Sequence, residues 1–379
     1  MPGYFFSHRK EFGVLSPIAT LRWSAADAAA QESRPRDFAR IVASQVTSAH
    51  GALTFWDAWP LLTQDGGIYR EASSAELWFV LAAPRFDDPD ARHAHARIHL
   101  LRRSGDAFEA LGPAFPEGHT PGSREWSGSA SVGPTGIVTL RFTAAGRRGE
   151  TTPTFEQRLF ESRGVLGDDG GIADWTPPRE ILTADGAIYR RADQAAGEIG
   201  KIKAFRDPEF FRDPRGAGDF LTFTASSAAA PGDFDGLVGL AWLDLDGIAA
   251  PFGPLVDASG FNNELERPHL RVFDGRYYLF WSTQAQVFAP DAGSWPTGLY
   301  GATADALAGP WTLLNGSGLV AANPPTAPAQ AYSWLVLPDG TVTSFIDRWA
   351  AHGEPEFVGA FAPFARLQFS GERVTLADG

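Results

Sequence analysis

The stretch Phe55-Trp56-Asp57-Ala58-Trp59-Pro60 decides how this chain is read. It predicts a short β-strand, in which successive side chains point to opposite faces. Phe55, Asp57 and Trp59 then share one face, and Trp56 and Ala58 the other. A carboxylate therefore stands between two large rings. Burying an ionised carboxylate is costly unless something pairs with it, and a strand that only fills a core carries Val or Leu at such a place. Two readings follow. In one, a strand-end Asp caps a turn while the rings pack. In the other, aromatic walls hold a carboxylate in a sugar-sized pocket. Further carboxylates in comparable settings decide between them.

The remainder of the chain reads as strand and turn. Short segments rich in β-branched and aromatic residues recur at 76–83, 96–103, 137–143, 155–160, 220–224, 237–243, 332–337 and 341–346. Asp274-Gly275 and Asp339-Gly340 each sit between two such runs and mark hairpin turns. Residues 25–31 suit a short helix, and 36–48 hold a helical turn or two. Many short antiparallel strands make an all-β sandwich, barrel or propeller. No linker divides the 379 residues, so a single domain over 1–379 is expected. One echo favours repetition: Asp65-Gly66-Gly67-Ile68-Tyr69-Arg70 against Asp185-Gly186-Ala187-Ile188-Tyr189-Arg190. The Ala/Pro-rich stretches 225–232 and 321–331 are expected to be surface loops.

Composition narrows the function. The net charge of −13 argues against nucleic acid and against anionic membrane surfaces, both of which need clustered Lys and Arg. A neutral ligand such as a sugar is compatible with it, and 12 Trp and 28 Phe suit either a packed β core or a carbohydrate site. With no cysteine there is no disulfide, thiolate zinc site or thiol nucleophile. No apolar run reaches the roughly 18 residues of a membrane span. The first ten residues, Met1 to Lys10, hold no apolar stretch of signal-peptide length. The chain is thus cytoplasmic, exported by another route, or without its leader. His93, His95 and His99 would share a face on a strand, which opens a metal reading. They lack a neighbouring carboxylate or second cluster, and the structural reading is preferred.

Three carboxylates stand out. Asp57 is the first. Asp207 lies in Phe205-Arg206-Asp207-Pro208, where Arg206 holds a carboxylate ionised and Pro208 forces extended backbone before it. Glu266 lies in Asn263-Glu264-Leu265-Glu266-Arg267-Pro268-His269, where Glu264 and Glu266 share a face of an extended segment. Their repulsion raises the pKa of one of them, a way to keep a general acid protonated near neutral pH. Each alone reads equally as an Arg-paired surface carboxylate. Together they suit glycoside chemistry, which needs one carboxylate as nucleophile or base and one as acid. Trp56, Trp59 and Trp126 are candidate apolar walls.

These motifs occur in the order found in levansucrases and their relatives, glycoside hydrolase family 68. Phe55 to Pro60, Glu125-Trp126-Ser127-Gly128-Ser129-Ala130, Arg206-Asp207-Pro208 and Glu264-Leu265-Glu266-Arg267-Pro268 carry the resemblance. Tyr277-Tyr278-Leu279-Phe280, Leu314-Asn315-Gly316-Ser317-Gly318-Leu319 and Ala331-Tyr332-Ser333 add to it, and it covers roughly residues 20–370. The resemblance implies a five-bladed β-propeller with a central funnel-shaped active site. It implies a sucrose-cleaving β-fructosyltransferase that retains configuration through a covalent fructosyl-enzyme and passes fructose to water, sucrose or growing fructan. By motif position, Asp57 would be the nucleophile, Glu266 the acid/base and Asp207 the transition-state stabiliser. Trp56 and Trp126 would line the fructosyl subsite, and Ser127 would hydrogen-bond the nucleophile. Arg206 and Glu264 would contact substrate, and Tyr332 would tune the acid/base. The family also implies an extracellular or periplasmic location.

Two departures qualify what is carried over. Where relatives place an Arg or His, this chain has Gln284, at a position that helps bind the glucosyl unit and acceptors. That gives weight to the alternative of a mainly hydrolytic or short-oligosaccharide-forming β-fructofuranosidase. Gram-positive members bind calcium near these motifs, but here Lys201 stands six residues before Asp207 and Asn263 precedes Glu264. A Lys is no ligand for a hard cation, and no calcium or other cofactor is expected. A catalytically silent sugar-binding propeller is the rival from another class; the presence of all three carboxylates speaks against it.

Overall fold

The computed structural model describes residues 17–30, 36–46, 51–195 and 201–377. Residues 1–10, residue 31 and residues 47–48, all read above, lie outside them. Within the first helical segment, Ala25–Ala29 forms a helix whose start is set by Ser24. The Ser24 hydroxyl accepts from the Asp27 N–H at 3.4 Å, and the Asp27 carboxylate accepts from the Ser24 N–H at 3.0 Å. The second segment contains one short 3-10 turn, Ala43–Gln45.

The rest is strand, folded as five antiparallel blades in chain order. Blade I comprises Leu53–Thr63, Glu76–Pro84, Arg97–Ser104 and Ala107–Pro113. Blade II comprises Arg124–Val132, Ile137–Ala145, Gln157–Leu166 and Arg179–Leu182. Blade III comprises Phe205–Arg212, Asp219–Ser226, Gly236–Leu243 and Ala249–Asp257. Blade IV comprises Glu266–Phe273, Arg276–Thr283 and Gly298–Ala304, with Leu319–Ala322 outside. Blade V comprises Ala331–Val336, Thr341–Trp349 and Glu356–Phe361, extended by Ala365–Ser370 and Arg373–Leu376. A parallel pairing from Leu61↔Ala130 to Thr63↔Val132 fuses blades I and II.

Both faces of a blade pack on neighbours, so inner strands are buried along their length rather than alternating between buried and exposed. In Glu76–Pro84 every residue but Pro84 is buried. The Asp274-Gly275 hairpin forms as expected, with φ of 49° and 76°, the left-handed pair a two-residue turn requires. The ring closes where Leu53–Thr63 packs on Thr341–Trp349. The N-terminal segment straps it: Leu21–Arg22 pairs with Ala249–Asp257, and Trp23 is buried against Phe261, Trp281 and Tyr300. Further along, the Ile41 N–H donates to the side chain of Gln330, just before blade V, at 3.0 Å.

Each blade's innermost strand breaks its register near its start. The breaks fall at Trp56/Ala58, Trp126/Gly128, Arg206/Glu209, Glu266/His269 and Tyr332/Leu335. Asp57, Asp207, Arg267 and Ser333 sit in them with φ of 43°, 60°, 47° and 61°. Left-handed backbone is unfavourable for non-glycine residues and collects at functional sites. This bulge overturns the simple alternation expected for Phe55 to Pro60. Asp57 leaves the ladder, while Trp59 turns into the core and stacks on Phe79 at 6.0 Å.

Other expectations need correction. The Asp65 and Asp185 echoes are not equivalent in the blades: one follows the inner strand of blade I, the other the outer strand of blade II. The echo is a shared turn chemistry, since each carboxylate accepts a local bond, Asp65 from Thr63 and Asp185 from the N–H groups of Ala187, Ile188 and Tyr189. The stretches 225–232 and 321–331 are loops only in their middles. Ala225, Ser226, Ala321, Ala322 and Ala331 are buried strand residues, because small side chains fit where blades approach closely. His93 lies in a 3-10 turn, Pro89–Ala94, that His95 ends, and only His99 is on a strand, so the three do not share a face.

Candidate active site

The five register breaks lie at the same end of the ring and bring the carboxylates together. Ser127 of blade II donates to Asp57 Oδ2 of blade I at 2.6 Å. No described residue bonds Asp57 Oδ1. Arg206 of blade III reaches three carboxylates: Nη2 lies 2.7 Å from Glu266 Oε1 and 3.4 Å from Glu264 Oε1, and Nε lies 3.7 Å from Asp207 Oδ2. The Tyr332 hydroxyl of blade V donates to the other oxygen of Glu266. Asp207 is fixed through one carboxylate oxygen and its backbone. Thr224 donates to its Oδ2 at 2.9 Å and the Arg267 N–H at 3.3 Å, while its own N–H donates to Thr143 at 2.9 Å.

Burial governs the charges. It pushes the Asp207 carboxyl up to about 7 against the pull of Arg206, with Glu266 and Asp57 adding to the rise. Glu264 is pushed up to about 7 by burial and then by Glu266, again against Arg206. The expected repulsion between the two glutamates is thus present, second to desolvation. Arg206 is held protonated despite its burial, because Glu266, Glu264 and Asp207 surround it. Burial, then Glu266, raises the Tyr332 hydroxyl, so it stays a donor.

Most residues singled out from sequence converge here. Trp56 is buried beside Asp57, and Trp126 is half-buried in blade II. Gln284 follows Arg276–Thr283, two residues beyond Ser282, which pairs with Glu266. Its side-chain oxygen accepts from Gln286. Trp59, 1% exposed, is core and no sugar wall. Sequence reading missed Thr143 and Thr224, two threonines in strands whose isolated patterns say only β. It also passed over Arg267, which donates to the Ala58 carbonyl at 2.8 Å and to Ser333 Oγ at 3.1 Å, tying three blades.

Lys201 is exposed, and Asn263 is fully buried with neither side-chain polar atom hydrogen-bonded among the described residues. Oxygens of residues 232–235 surround the ammonium of Lys203. Lys203 Nζ lies 3.0 Å from Asp235 Oδ2, 3.1 Å from the Asp233 carbonyl and 3.2 Å from that of Gly232. Arg190 Nε also lies 3.2 Å from Asp235 Oδ2.

Breaking a glycosidic bond calls for carboxylates on both sides of it, and a five-bladed propeller that delivers them to one end of its ring belongs among the glycoside hydrolases. The Levansucrase/Invertase family profile, glycoside hydrolase family 68, matches residues 15–239 and 246–378. The chain belongs to that family. Levansucrase LscC of Pseudomonas savastanoi pv. glycinea is 31% identical over 93% of this chain and 89% of its own. The inulosucrase of Halalkalicoccus jeotgali, solved bound to kestose, superposes with a TM-score of 0.86 at 35% identity, over 94% of this chain and 95% of that one. The β-fructofuranosidase catalytic domain of Microbacterium saccharophilum K-1 superposes with a TM-score of 0.78 at 26% identity, over 94% and 90%.

Proposed function

We propose that this protein cleaves sucrose and transfers the fructosyl unit, by double displacement at the carboxylate cluster. Asp57 Oδ1 attacks the anomeric carbon of the fructosyl unit, forming a carbon–oxygen bond as the bond to glucose breaks. Glu266 gives its proton to the departing glucosyl oxygen. It then takes one from water or a sugar hydroxyl, which attacks the same carbon and frees Asp57. Asp207 holds fructosyl hydroxyls through the transition state, with Arg206 and Glu264 on substrate and Trp56 and Trp126 as apolar walls. The observation that carries this reading is the asymmetry at the two key groups. Ser127 occupies one oxygen of Asp57 and leaves the other open, while Arg206 and Tyr332 orient Glu266.

Asp57→Asn tests it. Turnover of sucrose should fall by about 10⁴-fold or more with the melting temperature retained, as for a lost nucleophile. Glu266→Gln should lose about 10²–10⁴-fold, and much less on a fructoside with an activated leaving group. Free glucose and fructose measured separately in the wild type then divide transfer from hydrolysis. Glucose in excess means transfer; equal amounts mean that water is the acceptor. The neutral Gln284 favours short products over long fructan. The protein is also proposed to work without calcium, since the Lys203 ammonium already neutralises Asp235.

A further inference from the structure

His93, one of the three histidines read above as structural, lends its side chain to the funnel wall beside Trp56. The 3-10 turn Pro89–Ala94 places the His93 ring edge-on to Trp56, centroids 6.2 Å apart at 70°. His93 is exposed, and no described residue hydrogen-bonds either of its ring nitrogens. Other histidines are spent on the fold. His269 is fully buried with both nitrogens engaged, by the Arg267 carbonyl at 2.8 Å and the Val336 N–H at 2.9 Å. His119 bonds Ser162 at 3.2 Å, and His95 packs on Phe86 at 4.8 Å.

We infer that His93 is a sugar-binding residue, presenting one N–H donor and one lone-pair acceptor to hydroxyls of the fructosyl unit held against Trp56. A neutral imidazole matches a hydroxyl, which is both donor and acceptor, in a way that Lys or Asp does not. Although the ring is open to the funnel, the protein packed around it, then the charge of Arg92, pushes the His93 imidazole down to about 4. Arg92 in turn is locked in place. Its guanidinium lies 3.9 Å over Phe357 and 5.7 Å from the Trp56 ring, donates to Asp90 at 3.0 Å and faces Asp347. The turn thus has a rigid back and an imidazole with free nitrogens in front.

This inference rests on the sucrose-cleaving reading. The test is steady-state kinetics on sucrose for the wild type, His93→Ala, His93→Phe and His93→Gln, with melting temperatures. His93→Ala should raise KM by about tenfold, with a smaller change in kcat and an unchanged melting temperature. His93→Phe, which keeps a ring beside Trp56, should behave like His93→Ala. His93→Gln, which keeps a donor and an acceptor, should recover most of the loss. A wild-type KM in His93→Ala overturns the inference, and so does full recovery in His93→Phe, which would make the contact one of packing. A fall in melting temperature that His93→Gln fails to restore also overturns it. A wild type inert on sucrose would instead overturn the proposed function itself.

Discussion

Asp207 and Glu264 are both pushed up to about 7 in the folded protein. Between the ordinary carboxyl value near 4 and that point, the folded chain binds more protons than the unfolded one. Stability from these two groups therefore falls as pH rises from about 4 to 7. Asp207→Asn and Glu264→Gln should each become more stable relative to wild type as pH climbs through this window, while losing activity. Melting curves at pH 4.5 and pH 7 measure it; a gap independent of pH would show that the carboxyls are not strained. The three principal carboxylates were legible in the sequence because each stands beside Arg, Pro or aromatic residues in a spacing with few other uses. His93 was not, because its value depends on what it lacks, namely hydrogen-bond partners, and no sequence displays that.

The repeated bulge is the element on which the site depends. It turns a side chain off the ladder at the start of each inner strand, and in blades II and III threonines on neighbouring strands hold it. Thr143, fully buried in blade II, is the joint between two bulges: it accepts from the Asp207 N–H and donates to the Ser127 carbonyl at 3.2 Å. Thr143→Val keeps the shape and strands both groups. It should cost about 1–3 kcal/mol of stability and lower kcat more than it raises KM, because Asp207 and Ser127 lose their common support. Chemical denaturation paired with sucrose kinetics checks both. Strand positions and hairpins could be read from β-rich runs and Asp-Gly pairs. The bulges could not, since Trp56-Asp57-Ala58 and Tyr332-Ser333-Trp334 carry no glycine to announce a left-handed residue.

At the scale of the whole molecule, the blade count came from family motifs and not from periodicity, because the inner strands start at the uneven positions 53, 124, 205, 266 and 331. Loops between blades absorb the differences, and the 65/185 echo falls outside the blade period. Metal dependence is also a property of the whole fold. Chelator should leave the melting temperature and sucrose turnover unchanged, and added calcium should not raise either. Lys203→Met should lower stability by about 3–5 kcal/mol, since Asp235 is fully buried and would keep only Arg190 and the Ser226 hydroxyl. Thermal melts with and without chelator test both statements. The ammonium on Lys203 also differs from a dissolved ion in supply. It is carried by the chain, four residues before Asp207, at a local concentration that dilution does not change. Refolding yield should therefore be the same in ion-depleted buffer as in calcium, with no capture step to wait for.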